Sequence, residues 1–552
     1  MPTFNIDGLP QAKSQNSSTF YPEKVETFQP TVQGTVSRKE RNSSTYPEKV
    51  NHIVCIRLPA AMEFRKFRRS SALVSVVIIL AMTLACLHGN DISATSLEEH
   101  RLMFSIDPAT AQIGTVRNYT IDDIILTVSY VEPSHPQLLV WDGHHFSTYD
   151  MLSHRNETHL SSRNGISIPL LVHALRDNFP DRFKPGTPPF QLLWSGDDSI
   201  GGRCINENND CPTHNFAPVL MFGSVPKNES LMPNVKAFPN TYYTRCLYSY
   251  RIFAHRECEW KKVNDDLQWD QLKRQVFWRG SDFSNYLVDY QPAYRTKGAL
   301  VNDIVTPDVV KKLSREQIVA LLFDNQYDIP PRWIALAYTI MTQLQGKNDE
   351  AWINVLFSNK GSFNHEIHQS LEDKGLQVTD DPVDPYLMSK YRYQIDLAGG
   401  GGTTWDGTIT KLLMPGVLFH HETPFKDWFY DEMIPWIHYI PVKADLSDLF
   451  ERYQWAETND SRVISERATK FAKYLLSEEY MRKTYESLYV DYLGKVVHAY
   501  DAQGMDWPAM IEEYAQRGIR LYQVATCDDK NCKTQVAEQE HIEYSNVAFI
   551  KL

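Results

Sequence analysis

Short apolar runs of strand length recur between residues 190 and 420, and segments with helical spacing separate them. The runs lie at residues 190–194, 219–222, 275–278, 352–357, 394–397 and 417–419. The helical segments lie at residues 307–323, 364–374 and 408–413. Buried strands that alternate with helices are typical of a parallel sheet, so the pattern predicts an α/β fold.

Residues 461–500 form a longer segment with one apolar face. Apolar residues recur there at positions i, i+3 and i+4, among them Ile464, Ala468, Phe471 and Leu475. This spacing predicts one or two long amphipathic helices. The chain after residue 502 is more polar and carries Cys527 and Cys532.

A longer apolar run near the start of the chain, residues 71–87, has no charged residue and directly follows a group of basic ones. Its 17 residues are slightly fewer than the ~20 that usually span a bilayer, but short spans suit the thinner membranes of the early secretory pathway. Because basic flanks stay in the cytosol, we expect a single-pass type II anchor and a luminal C-terminal bulk, in the ER or Golgi membrane. A cleaved signal peptide that begins at Met62 is the alternative.

Composition and cysteine spacing narrow the class of protein further. The 552 residues carry a net charge of −12, which argues against a basic nucleic-acid binder. Six of the eight cysteines form close pairs, namely 204/211, 246/258 and 527/532. Downstream of a membrane signal, such pairs favour disulfides in an oxidising lumen. A zinc site is the alternative, although no C-x-x-C pair occurs.

The strongest local motif is a glycine-rich turn between a predicted strand and a predicted helix. It comprises Gly399, Gly400, Gly401, Gly402, Thr403 and Thr404, with Thr408 and Lys411 following. Backbone N–H groups at such a turn form an anion site, so we interpret the segment as a diphosphate site. It matches neither a Walker loop nor the G-x-G-x-x-G fingerprint, and a simple flexible turn is the alternative.

Two further strand ends carry polar groups suited to catalysis. The run at 275–278 continues into Arg279, Gly280 and Ser281, and Arg295 follows; these cations could neutralise phosphate, or the segment could be a surface turn. The run at 190–194 is followed by Asp197 and Asp198. A carboxylate there could act as a general base, bind a metal or cap a turn. The chain has no D-x-D triplet, so we expect no metal at the site, with cations and a helix dipole neutralising phosphate instead.

Several segments together resemble the CAP10-like glycosyltransferases of family 90, which include protein O-glucosyltransferases and capsule xylosyltransferases. They are Phe-Trp-Arg-Gly-Ser at 277–281, Lys-Tyr-Arg-Tyr at 390–393, the glycine loop with Lys411, Leu-Phe at 418–419, Pro-Trp-Ile-His-Tyr-Ile-Pro-Val at 435–442 and Asp-Leu-Ser at 445–447. The likeness covers roughly residues 190–500. Ala398 stands where the O-glucosyltransferases carry an arginine.

The resemblance implies a GT-B fold with two Rossmann-like lobes that face a cleft, and an inverting reaction without a metal or other cofactor. It implies that Asp197 is the catalytic base, with Asp198 as second choice. The donor, UDP-glucose or UDP-xylose, would be bound by Arg279, Ser281, Arg295, residues 399–404 and Lys411. The acceptor would be a hydroxyl of a protein or a glycan.

The sequence patterns and the resemblance together predict a domain plan, and two other functions stay open. The plan has a cytoplasmic disordered tail at 1–70, the anchor at 71–87, a luminal stem at 88–110, an acceptor-side lobe at 111–270, a UDP-sugar-binding lobe at 271–460, C-terminal crossing helices at 461–502 and a polar tail with a disulfide at 503–552. A catalytically inactive glycan-binding relative is the main alternative. A glycoside hydrolase would need a second carboxylate near Asp197, with Glu207 and Asp210 as candidates.

Overall fold

The computed structural model describes the chain from residue 116 onward, with gaps. The described residues are 116–131, 136–152, 164–196, 213–229, 232–239, 259–263, 266–282, 304–326, 329–346, 351–358, 365–374, 384–399, 402–404, 406–527, 531–534 and 542–543. The predicted tail, anchor and stem lie outside these residues. Among the described helices, none has both the length and the apolar character required to cross a bilayer.

The strands, in chain order, are β1 (Gln137–Trp141), β2 (Phe146–Leu152), β3 (Phe190–Ser195), β4 (Val219–Met221), β5 (Val225–Pro226), β6 (Val235–Ala237), β7 (Lys273–Gly280), β8 (Ile353–Phe357), β9 (Tyr391–Asp396), β10 (Val417–His421), β11 (Phe425–Lys426), β12 (Ile440–Val442), β13 (Arg520–Cys527), β14 (Asn531–Thr534) and β15 (Ile542–Glu543). The helices are α1 (Ile121–Val131), α2 (Asn164–Asn178), α3 (Pro307–Lys312), α4 (Arg315–Asp324), α5 (Pro331–Leu344), α6 (His365–Glu372), α7 (Pro385–Met388), α8 (Asp406–Leu412), α9 (Leu449–Thr458), α10 (Arg462–Leu475), α11 (Glu478–Thr484), α12 (Leu493–Ala499) and α13 (Trp507–Gln516).

The first sheet has the strand order β15-β14-β13-β2-β1-β3-β4-β6. Strands β3, β4 and β6 pair in parallel, whereas β1, β2 and β13 pair with their neighbours antiparallel. Strands β1 and β3 are buried along their whole length, which explains why they read as continuous apolar runs rather than as an alternation. Side chains of α1 and α2 pack into the core of this sheet.

The second sheet has the order β12-β10-β9-β7-β8, and its neighbouring strands pair in parallel. Helices α5 and α9 contribute to its core. The prediction of an α/β fold with parallel strands is therefore confirmed. The six apolar runs coincide with β3, β4, β7, β8, β9 and β10.

The segment predicted as one helix at 307–323 forms two helices, α3 and α4. The break lies at Ser314, whose side chain accepts a hydrogen bond from the backbone N–H of Gln317, while the Gln317 side chain accepts one from the backbone N–H of Ser314. This reciprocal capping box starts a new helix within the apolar pattern. Periodicity alone does not reveal such a break, because both helices keep their apolar positions toward the core.

The C-terminal helices pass from one core to the other. On α10, Phe471 and Leu475 pack with Leu418 of β10 in a cluster beside the second sheet. After α11 the chain forms a π-helical segment, Tyr485–Tyr492, and then α12. Side chains of that part, including Tyr492, belong to the core of the first sheet.

Residues 507–543 contain α13 and three strands, and these strands belong to the first sheet. The sequence predicted only a polar tail in this region. Strand β13 pairs antiparallel with β2, and Val524 and Ala525 on it are buried. Cys527 is disulfide-bonded and lies opposite Cys532 in the register of β13 and β14.

A short two-stranded sheet joins the two larger parts. Strand β5 pairs antiparallel with β11. The Lys426 ammonium on β11 contacts Glu229 at 2.8 Å and Asp431 at 2.5 Å. Glu229 also contacts Lys236 of β6 at 3.0 Å, so the ion pairs connect the first sheet to the segment that follows β10.

Glu432 lies in a short 3₁₀ turn after β11 and accepts a hydrogen bond from the Tyr480 hydroxyl of α11 at 2.6 Å. Burial raises the pKa of Glu432 to about 7, and the neighbouring Asp431 adds to this, although the Tyr480 hydrogen bond acts in the opposite sense. A carboxyl group with a raised pKa makes the fold less stable as pH rises from its ordinary pKa of 4.5 to about 7.

We therefore predict that Glu432→Gln stabilises the protein at pH 8 by ~2 kcal/mol and has little effect at pH 4. Urea unfolding at both pH values measures the difference. The control is Glu466→Gln on α10, at an exposed carboxylate paired with Arg462, which should not stabilise the protein at pH 8. If both variants changed the free energy of unfolding at pH 8 by the same amount, burial of Glu432 would have no energetic consequence.

Candidate functional site

Two of the predicted binding segments meet at one edge of the second sheet. Strands β7 and β9 are adjacent and parallel, with Phe277 opposite Gln394. Their carboxyl ends therefore lie side by side, and Ser281 follows one while Gly399 follows the other. Ligands of open α/β sheets bind at this edge.

Arg332, in the first turn of α5, bridges these two strand ends. Its guanidinium donates to the backbone oxygen of Ser281 at 2.9 Å and to that of Leu397 at 3.0 Å. It also lies 4.9 Å from the centre of the Trp278 ring, and it is only 7% exposed. Because α5 leads into the amino end of β8, its own amino end comes to the carboxyl edge of the sheet, and this places Arg332 between the two segments.

The described part of the glycine loop is closed by its own backbone. The Gly399 N–H donates to the Thr403 oxygen at 2.9 Å, and the Gly402 N–H donates to the Gly399 oxygen at 3.1 Å. Gly402 has a φ of 77°, and a Cβ there would lie 2.6 Å from the Phe425 ring of β11. Only glycine fits both the backbone conformation and this close approach.

The carboxylate of Asp396, the last residue of β9, organises the residues that follow the loop. It accepts hydrogen bonds from the hydroxyls of Thr404 at 2.7 Å and Thr408 at 2.6 Å. The Lys411 ammonium contacts it at 3.0 Å, and His420 Nδ1 lies 3.1 Å away. Asp396 therefore ties the end of the loop, α8 and β10 together.

The charge state of this cluster follows from its burial and its partners. Burial of Asp396 opposes ionisation, but Lys411, His420 and the Thr408 hydroxyl outweigh it, and the pKa of Asp396 lies well below its usual range. Burial, reinforced by His420, lowers the pKa of His421 to about 3. His421 is therefore neutral at physiological pH, and its Nδ1 donates to the backbone oxygen of Asp396 at 3.1 Å.

Two of the cations predicted to bind phosphate form bonds inside the protein. Lys411 is paired with Asp396 and is 6% exposed. The Arg279 guanidinium donates to the backbone oxygens of Trp278 and Asn354 at 2.8 and 2.9 Å, and to Asn354 Oδ1 at 3.0 Å. Contact of Lys411 and Arg279 with a phosphate stays a prediction. In this structure Lys411 is paired with the Asp396 carboxylate, and Arg279 is bonded to oxygens of Trp278 and Asn354.

The remaining predicted residues divide into described and undescribed ones. Thr403 is 3% exposed, and its hydroxyl has no hydrogen-bond partner in the part of the chain that the structure covers. The Ser281 hydroxyl lies 3.4 Å from Arg332. Asp197, Arg295, Gly400 and Gly401 lie outside the described residues, as does Asp198. Within the described ranges, no group of three or more His, Cys, Asp or Glu side chains could hold a metal ion.

Comparisons with known proteins show which proteins this chain is similar to. Residues 352–501 match the family model described as Glycosyl transferase family 90. The chain is 34% identical over 254 residues to human Protein O-glucosyltransferase 3, covering 41% of this chain and 47% of that protein. It is 34% identical over 111 residues to Protein O-glucosyltransferase 2 of Danio rerio, covering 19% and 21%. It is also 36% identical over 105 residues to Uncharacterized protein 179R of Invertebrate iridescent virus 6, covering 18% and 9%.

Residues 352–501 thus match a family 90 glycosyltransferase domain. The resemblance noted from the motifs is thereby confirmed, although these alignments span less than half of the relatives' own lengths. The family 90 match contains β8, the glycine loop, Asp396 and all of its partners. Ser281 and Arg332 lie before the matched residues.

Sequence reasoning missed Asp396, Arg332 and His420 as parts of the site. A weak signal for Asp396 existed, since a carboxylate inside an apolar strand must be paired when it is buried. Arg332 follows two prolines at a helix start, which says nothing about its target. Both roles depend on which strands become neighbours in the second sheet, and local patterns do not carry that information.

We predict that Gly402→Ala destabilises the family 90 domain more than Gly346→Ala does. Both glycines have a positive φ, of 77° and 70°, so both variants incur the ~1–2 kcal/mol cost of a side chain in that conformation. Gly346 has no atom within 4 Å of the added Cβ, whereas Gly402 meets Phe425. The overlap should add ~1–3 kcal/mol.

Thermal unfolding midpoints of the two variants measure this difference. Combining Gly402→Ala with Phe425→Ala should recover part of the loss, because the smaller side chain makes room for the Cβ. Equal midpoints for the two alanine variants would contradict the close contact between the loop and β11.

Proposed function

We propose that this protein is an inverting glycosyltransferase that moves a sugar from a UDP-sugar to a hydroxyl of a protein. The family 90 match and the names of the O-glucosyltransferase relatives support this class. They favour UDP-glucose as donor and a protein as acceptor. UDP-xylose and a glycan acceptor are the alternatives that the sequence leaves open.

The observation that carries the proposal is the meeting of the Ser281 segment and the glycine loop at one sheet edge, with Arg332 between them. A diphosphate at this edge would face Ser281, the Thr403 hydroxyl and the loop backbone. Preorganised donors of this kind are worth ~3–4 kcal/mol each when charge develops on a leaving group. A glycoside hydrolase would need two carboxylates facing the substrate, whereas the Asp396 carboxylate at this edge is bonded to Lys411, Thr404 and Thr408 within the protein.

The wider architecture and location are part of the proposal. We propose a GT-B arrangement, supported by two sheets with separate cores and by C-terminal helices that pass from one core to the other. We also propose a type II anchor at residues 71–87 with the catalytic part in the lumen of the ER or Golgi. The disulfide at Cys527 supports an oxidising compartment.

The proposed reaction is a single displacement at C1 of the sugar. Asp197 removes the proton from the acceptor hydroxyl, the acceptor oxygen bonds to C1, and the bond from C1 to the diphosphate oxygen breaks. The products are the glycosylated acceptor, with inverted configuration, and UDP. General-base catalysis of this kind contributes ~10²–10⁴-fold to the rate.

One observation favours a second candidate, a catalytically inactive relative that binds glycans. Lys411 and Arg279, two of the cations expected to neutralise the diphosphate, are bonded inside the protein. If no other cation reaches the donor, the leaving group gains too little stabilisation for turnover. The first experiment below separates the two candidates.

We predict that the purified full-length protein releases UDP from UDP-glucose faster than from UDP-xylose, UDP-galactose or UDP-N-acetylglucosamine. A coupled assay for UDP measures the rates, and calorimetry measures UDP binding. Faster release from UDP-xylose would change the donor and keep the class. Neither binding nor release at millimolar concentrations would reject the transferase and support the inactive relative.

Asp197→Asn should reduce transfer by at least 10²-fold and leave the Kd for UDP unchanged, because the base does not contact the nucleotide. Asp198→Asn is the matched control and should transfer at nearly the normal rate. Loss in Asp198→Asn alone would assign the base to that residue, and normal turnover by both variants would remove this segment from catalysis.

A further inference from the structure

The two neighbouring threonines of the glycine loop have different environments. The Thr404 hydroxyl is bonded to Asp396 at 2.7 Å and lies 2.7 Å from the Thr408 hydroxyl. The Thr403 hydroxyl is buried and has no partner among the residues that the structure describes. A buried hydroxyl without a partner is unfavourable, so a ligand that accepts its hydrogen bond would remove that cost.

Asp396 causes the difference between the environments of Thr403 and Thr404. Its carboxylate draws the Thr404 and Thr408 hydroxyls toward the carboxyl end of β9. Thr408 is thereby held inside the protein, where its oxygen also lies 3.0 Å from the Tyr430 hydroxyl, while the partly exposed Thr404 is held by its bond to Asp396. Thr403 is itself held by its backbone oxygen, which accepts from the Gly399 N–H at 2.9 Å, so the two threonines are fixed by different bonds.

The Lys411 ammonium balances the charge of Asp396 but does not by itself explain the hydroxyl bonds. A buried ion pair can often be replaced by neutral groups without loss of stability. The two threonine bonds, in contrast, connect the loop to the first turns of α8 at defined distances. The role of Asp396 in positioning the loop can therefore be distinguished from its role in balancing the charge of Lys411.

We propose that Asp396 is a positioning residue for the donor and that Thr403 is the loop hydroxyl that binds the donor's diphosphate. This inference rests on the proposed use of a nucleoside diphosphate sugar. It replaces the direct phosphate contacts that the sequence suggests for Thr404 and Lys411 with an internal role for both. Thr403 remains as the side chain of the loop that faces a ligand.

A matched pair of variants tests the division between the threonines. Thr403→Val should raise the Kd for UDP, measured by calorimetry, about tenfold, and should leave the thermal midpoint unchanged or higher. Thr404→Val should lower the thermal midpoint, because the Asp396 carboxylate loses a donor. Normal UDP affinity in Thr403→Val would overturn the assignment of Thr403.

A second set separates positioning from charge balance. Asp396→Asn leaves Lys411 buried without its carboxylate and should lower the thermal midpoint strongly. The double variant Asp396→Asn with Lys411→Met removes both charges and should recover much of the midpoint. Its KM for the UDP-sugar should stay at least tenfold raised, with kcat within about threefold of normal.

Recovery of both midpoint and KM in the double variant would show that Asp396 only balances charge. Thr404→Val with Thr408→Val keeps the Asp396–Lys411 pair and provides an independent measurement, in which the same rise in KM is expected and a normal KM would overturn the proposal. Glu457→Gln is the control, since Glu457 is a carboxylate bonded to Tyr393 and Arg274 elsewhere in the domain, and its donor KM should be normal.

Measurements on the unmodified protein distinguish failure of the proposed function from failure of this inference. If it binds no UDP and releases none from any donor, the proposed function fails, and this inference fails with it. If it binds UDP and turns over while the variants of Thr403 and Asp396 behave normally, the function stands and only this inference is rejected.

Discussion

The parallel pairing of β9 with β7 on one side and β10 on the other is the constraint on which the candidate site depends. It makes β9 an inner strand of the second sheet, so Asp396 at its carboxyl end is buried and must find partners. Those partners are Thr404 in the loop, Thr408 and Lys411 in the next helix and His420 in the next strand. The same pairing brings the Ser281 segment within reach of Arg332.

The loop is also connected to the first sheet. Gly402 packs against Phe425 of β11, β11 pairs with β5, and Lys426 adds ion pairs on both sides of that short sheet. A shift of β5 relative to the second sheet would therefore press on the loop through Phe425. Among the described residues, this short pairing therefore places β5 beside the strand that contacts the candidate donor site.

The sequence predicted the inner strands well and the polar contacts poorly, for a physical reason. Strands such as β3 and β10 are buried on both faces, and an apolar run reports that burial locally. Burial also showed in α10, where apolar residues repeat at helical spacing. The break at Ser314 depends on a side-chain hydrogen bond, and both Asp396, which pairs with Lys411, and Asn354, which bonds to Arg279, lie on distant strands. A charged side chain beside a glycine loop looks like a phosphate ligand until its carboxylate partner is placed, as Lys411 illustrates.

The placement of β13 has a consequence for biosynthesis. Strand β2 bonds to β1 on one side and to β13 on the other, and more than 350 residues separate β2 from β13 in the chain. While the ribosome makes the intervening segment, that side of β2 offers unpaired N–H and C=O groups, which can recruit strands of other molecules. The first sheet cannot be complete until residues 520–527 have been made, and long-range closure of this kind is slow. Chaperone protection of nascent chains would matter most during this interval.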